Sequence, residues 1–309
     1  MKMDTIRACS IWRALEVVGD VPVLLIMEQA FLGVHGFEKF VEQTGFARSV
    51  VSNRLKKLVA EDCLAMAPQP GSRRTSYRIT EKGRALFPVA MAMVRWQHRW
   101  EPKRRDFQIR LEHATCGHAI EPKPVCLSCT AEIDPREVDW EEGPGLVQVT
   151  PDYSRRRRPS ASVTNRRGGG TLVDSIIGIF GDRWSTLVIR AMFSGLYRFD
   201  QIQQDTLMAP NILSGRIDEL IEAGVLRTEQ YCEHPPRFEY RLTEKGRELY
   251  PVILGLLQWG DRYYADEKGP PLLLFHRPCG DPLEMRMQCN HCGEELLPSD
   301  MRFGLIGPE

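Results

Sequence analysis

The amino-acid sequence predicts a mainly α-helical α+β protein with two winged helix-turn-helix domains, each followed by a small zinc-ribbon-like module. The first observation is a long internal repeat, since Tyr77–Arg84 returns as Tyr240–Arg247 with seven of eight residues identical. The second is a short helix, a turn, an amphipathic helix and a polar hairpin in each copy. The third is a histidine and cysteine pattern that follows each copy. The protein is therefore expected to use the function of one module twice.

The bulk composition is that of an ordinary soluble protein. The chain has 309 residues with 41 basic and 41 acidic side chains, so it allows two or three domains, and any argument for nucleic acid must come from local charge. The strongest apolar run, Val21–Met27, contains Pro22 and is far too short to span a bilayer. We therefore expect a cytoplasmic protein without a membrane partner. Its nine cysteines should stay reduced, which favours metal binding over disulfides.

The first part of each copy predicts a series of short helices. In copy one, Ile11–Ala30 carries apolar residues at helical spacing and is interrupted by Gly19-Asp20, which indicates two helices. Gly36–Gln43 predicts a short amphipathic helix that ends in a turn. The next helix places apolar residues at i, i+4, i+7 and i+8 on one face, which completes a helix-turn-helix pattern. These residues are Val51, Leu55, Leu58 and Val59 in copy one and Leu213, Ile217, Leu220 and Ile221 in copy two.

A hairpin and a closing helix complete each domain. Leu64–Ala67 and Ser76–Ile79 predict two short strands around a Pro/Gly/Arg tip, which we interpret as a wing. The repeat offset changes from 162 to 163 in this region, and an insertion of one residue indicates a surface loop. Thr80 is the expected N-cap of a helix that runs to Trp100 and serves as a core or dimer element.

Shifts in composition set the expected domain boundaries. Residues 139–170 lack periodicity and are rich in Pro, Gly, Ser and Arg, so they predict a flexible linker. Its run Arg155–Arg158 either adds nonspecific phosphate contacts or keeps the linker solvated. The predicted units are a winged helix-turn-helix domain at 1–105, a zinc-ribbon-like module at 106–138, the linker, a second winged domain at 171–268 and a second module at 269–309.

The second helix of the helix-turn-helix in copy one carries side chains that can hydrogen-bond base edges and phosphates. With arginines at the wing tip they predict a basic DNA-binding face, and a solvated basic surface is the alternative. In copy two, Asp218 and Glu219 replace Lys56 and Lys57 and would repel phosphate, so copy one should dominate affinity. The expected DNA contacts are Arg48, Ser49, Ser52, Asn53, Arg54, Lys56, Lys57, Arg73 and Arg74 in copy one and Asn211, Ser214, Arg216 and Arg237 in copy two.

Both copies resemble the HxlR-type winged helix regulators, a family of bacterial transcription factors. The resemblance covers about 200 of the 309 residues. Family members usually dimerise through terminal helices to read a two-fold site, so the resemblance implies an intramolecular pseudo-dimer or a true homodimer of tandem chains. In the pseudo-dimer, the two recognition helices would lie roughly 34 Å apart, about one DNA turn. The matching stretches are 15–20, 37–40, 52–58 and 77–84 in copy one and 179–184, 197–200, 213–216 and 235–241 in copy two.

Some redox-sensing members of that family carry a reactive cysteine near the start of the first helix, and Cys9 stands at this position. Arg7 and Arg13 are close in sequence, and nearby cations favour the thiolate. Copy two has Thr171 at the matching position, so the feature belongs to one copy. Cys9 is therefore a candidate redox thiol, with a small packing residue as the alternative.

A second repeated pattern, H-x2-C-G followed by C-x2-C, comes after each closing helix. Two pairs of such ligands brought together by a hairpin suit tetrahedral zinc, and four protein ligands indicate a structural site. His118 competes with His113 as a ligand, and reduced thiol clusters without metal are the alternative to zinc. Two structural zinc sites are expected, with ligands His113, Cys116, Cys126 and Cys129 in copy one and His276, Cys279, Cys289 and Cys292 in copy two.

Together these motifs predict a sequence-specific DNA-binding transcriptional regulator that acts on double-stranded DNA. We expect a repressor that responds to an unknown small-molecule or redox effector. The alternative is a metal- or thiol-responsive sensor or protein-interaction scaffold in which DNA binding is partly lost. An enzyme is not expected, because the sequence has no P-loop, no G-x-G-x-x-G after a strand, no H-E-x-x-H and no nucleophile elbow.

Overall fold

The two copies share one order of helices and strands. The computed structural model describes residues 5–7, 9–68, 75–101, 108–149, 171–265 and 267–306. Copy one contains α1 (Ser10–Val18), α2 (Val21–Phe31), α3 (Phe37–Thr44), α4 (Arg48–Ala60), β2 (Leu64–Pro68), β3 (Thr75–Ile79), α5 (Glu81–Arg84) and α6 (Phe87–Trp100), preceded by β1 (Ile6–Arg7). Copy two contains α7 (Asp174–Phe180), α8 (Arg183–Phe193), α9 (Phe199–Thr206), α10 (Pro210–Glu222), β9 (Leu226–Cys232), β10 (Arg237–Leu242), α11 (Glu244–Arg247) and α12 (Tyr250–Tyr264).

Side-chain caps begin the helices where the sequence predicts breaks. The Asp20 carboxylate accepts a hydrogen bond from the backbone N–H three residues later at 2.9 Å and caps α2. Asp182 caps α8 in a related way in copy two. Thr80 accepts from the Gly83 N–H at 3.1 Å and caps α5. The Gly-Asp pairs therefore end one helix and begin the next, because an Asp side chain satisfies an N–H that has no partner within the helix.

The closing helix differs from the prediction, because it is divided into α5 and α6 in copy one and into α11 and α12 in copy two. Pro88 lies in the first turn of α6 and Pro251 in the first turn of α12. A proline has no N–H to donate to the carbonyl four residues earlier, so it interrupts the hydrogen bonds of a continuing helix but is well accommodated in the first turn of a new one. The prolines therefore place a new helix start within the stretch that periodicity alone reads as one helix.

Terminal helices of one copy pack against terminal helices of the other. Helix α1 lies against α12, α7 lies against α6, and α6 also contacts α12. The contact is close, since a Cβ atom on Gly260 of α12 would lie 2.2 Å from the Ser10 carbonyl oxygen of α1. The Trp96 indole N–H donates to the Lys245 carbonyl at 2.8 Å, and Trp259 donates to the Lys82 carbonyl at 3.0 Å. These reciprocal bonds relate the copies by an approximate two-fold arrangement.

The strands that follow the winged domains pair between the copies. Strand β4 (Gln108–His113) pairs with β13 (Met301–Ile306), and β6 (Pro122–Cys126) pairs with β12 (Met285–Cys289). The sequence predicts one zinc-ribbon-like module at 106–138 and another at 269–309, whereas in the structure the strands of the two segments interleave. The physical reason is that each segment is too short to bury its own core, so its strands complete their ladders with the equivalent segment of the other copy.

The predicted linker begins as a strand. Strand β7 (Val138–Glu142) pairs antiparallel with β11 (Leu272–His276), and β8 (Gln148–Val149) pairs with β1. Residues 150–170 of the predicted linker, with Arg155–Arg158, lie outside the described residues. One buried apolar core extends through both copies. Among the helices in the described ranges, none combines the length and the apolar character that a membrane crossing needs.

Candidate DNA-contact helices and metal centres

Helix α4 buries one face and presents another to solvent, as the apolar spacing predicts. Val51, Leu55 and Leu58 are 0% exposed. Gly45 ends the preceding helix α3 with φ 67°, a left-handed conformation that glycine adopts without steric cost and that turns the chain into α4. The predicted contacts on this helix other than Arg54 and Lys57 form a patch on its solvent side. We call this patch the α4 surface, and it consists of Arg48, Ser49, Ser52, Asn53 and Lys56.

Two predicted DNA contacts, Arg54 and Arg216, bind acidic residues within their own copies instead. The Arg54 Nε atom lies 2.8 Å from the Asp20 carboxylate, and Arg216 makes the equivalent ion pair with Asp182. Because these aspartates also cap α2 and α8, each ion pair ties the second helix of the motif to the start of an earlier helix. Arg216 is only 8% exposed. Arg216 is buried and Arg54 is half-buried, so the geometry favours a helix-linking role for both arginines over the predicted DNA contact.

Lys57 is also engaged within the protein. Its ammonium group donates to the backbone carbonyls of Glu16 and Val17, the latter at 2.7 Å. These carbonyls lie in the last turn of α1, where they have no partner in the helix and where the helix dipole favours a cation. Because its charge is directed toward α1, the geometry favours a structural role for Lys57 over the predicted DNA contact. Lys56, the next residue along the chain, is exposed.

Arg48 remains on the α4 surface, where it forms an exposed ion pair with Glu38 of α3. One guanidinium nitrogen lies 2.8 Å from the Glu38 carboxylate, and the group also lies 5.0 Å from the centre of the Phe37 ring. Hydrogen bonding to Glu38 raises the pKa of Arg48. Exposed pairs of this kind are weak. A phosphate could therefore replace the Glu38 carboxylate at little cost in free energy.

Helix α10 has the same architecture as α4 and a different charge. Leu213, Ile217 and Leu220 form its buried face. The predicted contacts Asn211 and Ser214 are exposed, and so are Asp218 and Glu219. Arg216 contacts Glu219 as well as Asp182, with the Glu219 carboxylate at 3.3 Å. No basic side chain of α10 is therefore left facing solvent, since Arg216 is the only one in this helix.

The wing positions are only partly described. Arg73 and Arg74 lie outside the described residues. Arg237 is exposed at the start of β10, where it pairs in register with Cys232 of β9. Sequence reasoning missed Arg198, an exposed cation before α9 whose guanidinium lies 4.4 Å from the Tyr231 ring centre. The repeat offers no signal for it, because glycine occupies the matching position in copy one.

The eight predicted metal ligands form two clusters of four. In the first cluster, the Cys116 and Cys289 sulfurs are 3.9 Å apart, and Cys292 Sγ lies 3.3 Å from His113 Nδ1. In every cluster the ligand atoms lie within 4.8 Å of one another. The structure places His113, and not its competitor His118, among these four residues. The cluster could therefore hold a metal ion through three sulfurs and one imidazole nitrogen.

The second cluster has the same composition. The Cys126 and Cys279 sulfurs are 4.0 Å apart, and the His276 Nδ1 atom lies 3.3 Å from Cys129 Sγ and 3.5 Å from Cys279 Sγ. His276 is 0% exposed, and His113, the equivalent histidine of the first cluster, is 1% exposed. Two imidazoles buried beside groups of cysteines suit an enclosed metal ion better than an apolar core.

Each cluster combines ligands from both copies, which corrects the predicted grouping. His113 and Cys116 of copy one meet Cys289 and Cys292 of copy two, and the second cluster reverses the contribution. The physical reason is the pairing of β6 with β12, which places the end of each strand beside the H-x2-C segment of the other copy. The spacing selected residues that the structure does bring together in groups of four, whereas the predicted membership of each group was wrong.

The candidate redox thiol, Cys9, is partly buried at the N-cap of α1. The two cations near it in sequence have other partners, since Arg13 donates to the Tyr264 carbonyl and Arg7 lies 3.8 Å from Glu142. Cys9 lines a cavity of about 130 Å³ together with apolar side chains of α12 and β11. Its role as a redox thiol stays a prediction.

The chain is similar to several known proteins. A model of the HxlR-like helix-turn-helix family matches residues 17–105 and 179–268. Rv3095 of Mycobacterium tuberculosis, named as an uncharacterized HTH-type transcriptional regulator, is 39% identical over 137 residues, which are 44% of this chain and 87% of Rv3095. YdeP of Bacillus subtilis, named in the same way, is 34% identical over 95 residues, which are 30% of this chain and 74% of YdeP. The crystal structure of PA1607 is 33% identical and covers 43% of this chain and 94% of its own, with a TM-score of 0.40.

Proposed function

The chain belongs to the HxlR-like helix-turn-helix family and is a DNA-binding transcriptional regulator, not an enzyme, and we propose that it acts as a repressor in the form of an intramolecular pseudo-dimer. The packing of α1 on α12 and of α7 on α6 supports this proposal, because terminal helices of the two copies contact each other reciprocally. One chain then carries two recognition helices, α4 and α10, for two half-sites. Occupancy of a site that overlaps a promoter would block transcription, which is the form of repression proposed.

The α4 surface supports the assignment of the stronger half-site to copy one. It combines the cations Arg48 and Lys56 with the hydrogen-bonding side chains of Ser49, Ser52 and Asn53. Cations contact phosphates and fix the register, whereas the shorter polar side chains read base edges. Arg73 and Arg74 complete the proposed contacts of copy one from the wing tip.

Copy two offers fewer attractive contacts. Its proposed DNA-facing residues are Asn211, Ser214 and Arg237, to which we add the exposed Arg198. The exposed carboxylates of Asp218 and Glu219 oppose phosphate, so we assign copy two a weaker and less specific half-site.

Two structural zinc ions account for the cysteine clusters. Thiolates about 2.3 Å from a tetrahedral zinc ion are about 3.8 Å from one another and about 3.6 Å from an imidazole nitrogen ligand. The observed sulfur–sulfur separations of 3.9 and 4.0 Å and the sulfur–nitrogen separations of 3.3 and 3.5 Å fit these values. Zinc would offset most of the thiolate charge and hold the paired strands of the two copies together. The ligands are His113, Cys116, Cys289 and Cys292 at one site and Cys126, Cys129, His276 and Cys279 at the other.

A cavity between the copies supports an effector-binding role. Its volume is about 130 Å³, and its lining combines Cys9 and Trp140 with apolar residues of α12, such as Leu257. Small-molecule sites are typically concave and apolar with a few polar groups. A ligand there would contact α1 and α12, the helices through which the copies pack, so it could change the separation of α4 and α10.

The test of this function is selection of the zinc-loaded protein on random duplex DNA. We expect a motif with two half-sites about ten base pairs apart, centre to centre, of which one is more strongly specified. Enrichment of a single half-site would support DNA binding by copy one and refute the pseudo-dimer reading. Absence of any enriched sequence from a folded, zinc-loaded protein would contradict the proposed contacts, and would favour the sensor or protein-interaction scaffold suggested by the acidic surface of α10.

A further inference from the structure

Two exposed histidines stack beside the first metal cluster. The rings of His118 and His291 have centroids 3.5 Å apart and planes inclined by 15°. Their ligand atoms and the sulfur of Cys116 all lie within 4.8 Å of one another. His118 belongs to copy one and His291 to copy two, so this trio is assembled by the same pairing of the copies that assembles the four-residue clusters.

Local hydrogen bonds orient these histidines. The Nδ1 atom of His118 lies 2.7 Å from the carbonyl oxygen of Cys116. A carbonyl only accepts, so Nδ1 donates, and in the neutral imidazole Nε2 keeps the free electron pair that a metal ion needs. This electron pair lies in the ring plane, so the two near-parallel rings would tilt out of their stack to bind one ion. The loop that carries His291 is held in place, because the Asn290 side chain accepts a hydrogen bond from the Glu121 N–H at 3.1 Å.

The second cluster lacks this feature, although it is otherwise equivalent. At an offset of 163, His118 corresponds to Asp281 and His291 corresponds to Ser128. Both of these positions are exposed. The interleaved strands and the four-residue cluster therefore form without the histidine pair at one end of the molecule. The pair at the other end is not required for that arrangement and needs a separate explanation.

We propose that Cys116, His118 and His291 form a third metal site, which binds zinc or a similar divalent transition-metal ion. Imidazole and thiolate are the ligands that such ions prefer. Three protein ligands leave a coordination position to water, and the two histidines are exposed, so this ion exchanges with the solution more readily than an ion enclosed by four residues. Cys116 would belong to both sites, so its thiolate would bridge the exchangeable ion and the enclosed one. This inference goes beyond the proposed DNA-binding function and gives the protein a means to respond to free metal.

The test counts Zn²⁺ ions per full-length chain after equilibration at a fixed free zinc concentration, by atomic emission. The informative variant carries His118→Asp and His291→Ser, the residues that stand at the equivalent positions of the other copy. We expect three ions in the wild type and two in this double variant. The matched control carries Ser128→His and Asp281→His, and we expect it to gain one ion, because it reproduces the trio around Cys279.

The difference between the wild type and the double variant decides the matter. A loss of one readily chelated ion, with an unchanged unfolding temperature in the presence of zinc, supports the third site. Equal zinc content in the two proteins overturns it. If the four-residue clusters themselves hold no zinc, both counts fall together and the difference of one ion remains, so failure of the structural-zinc proposal is distinguishable from failure of this inference.

Discussion

Lys56 and Lys57 are adjacent in sequence, and the structure predicts different consequences for their removal. Lys56 is an exposed member of the α4 surface, so Lys56→Ala should remove about one phosphate contact. One contact contributes about 0.9 to the slope of log K against log salt, which corresponds to a loss of affinity of roughly five- to tenfold at about 0.1 M salt. The stability of the protein should not change, since an exposed lysine without burial contributes little.

Lys57→Ala should instead lower the stability of the protein and leave the salt dependence of DNA binding unchanged. The ammonium group of Lys57 donates to two carbonyls at the end of α1, those of Glu16 and Val17. Loss of these charge-assisted bonds at a helix C-terminus should lower the free energy of unfolding by about 1–2 kcal/mol. The salt dependence of DNA binding should stay that of the wild type, because this charge does not face DNA.

Both variants are compared with the wild type by fluorescence anisotropy on one labelled duplex between about 50 and 200 mM salt, the range over which counterion release is steep. Urea unfolding of the same samples measures stability. A salt slope that is unchanged in Lys56→Ala, or reduced equally in both variants, would refute the assignment of α4 as the DNA-facing helix with this orientation.

Three further predictions concern the packing of the copies and the metal clusters. Trp96→Phe and Trp259→Phe should each destabilise the protein by about 1–3 kcal/mol in urea unfolding, because each leaves a carbonyl of the other copy without its donor. Burial raises the pKa of Asp261 to about 6, above the unfolded value of about 3.9. The contribution of the protonated carboxyl to stability is therefore full below the unfolded pKa and is lost as pH rises through the folded pKa. Asp261→Asn should thus stabilise the protein in urea unfolding at pH 7.5 and give no gain near pH 4. A double Cys126→Ser and Cys279→Ser variant should lose one structural zinc ion, because the two residues share a cluster, whereas Cys279→Ser with Cys289→Ser should lose two. Loss of two ions in the first variant and one in the second would show instead that each copy holds its own site.

Local features of the fold were predictable because their causes lie within a few residues of one another. The caps at Asp20 and Thr80 depend on an N–H within three positions, and the buried stripe of α4 depends on helical spacing alone. The split of the closing helix was missed, although its signal was present in Pro88. Apolar periodicity was given more weight there than the helical hydrogen bond that a proline cannot donate.

The direction of a charged side chain was not predictable, because its partner lies far along the chain. Arg54 and Lys57 occupy the same helix as Lys56 and are of the same residue class. They differ because α1 and the start of α2 pack beside α4 and provide an acidic and a carbonyl partner. Only the packed arrangement separates the cations that hold the helices together from those that remain available to DNA.

The sequence by itself determined that the chain is a tandem repeat of a DNA-binding domain and selected eight candidate metal ligands, because repeat offset and ligand spacing are properties of the linear chain. It did not determine which ligands share a site. Two equivalent copies offer the same four residue types within one copy or across both, and the spacing is satisfied either way. The tertiary structure decides between them through the pairing of β6 with β12, which brings His113 and Cys116 to Cys289 and Cys292. Short segments that cannot bury a core alone are more stable when their strands pair with each other, and this stabilisation makes the two copies one folded unit.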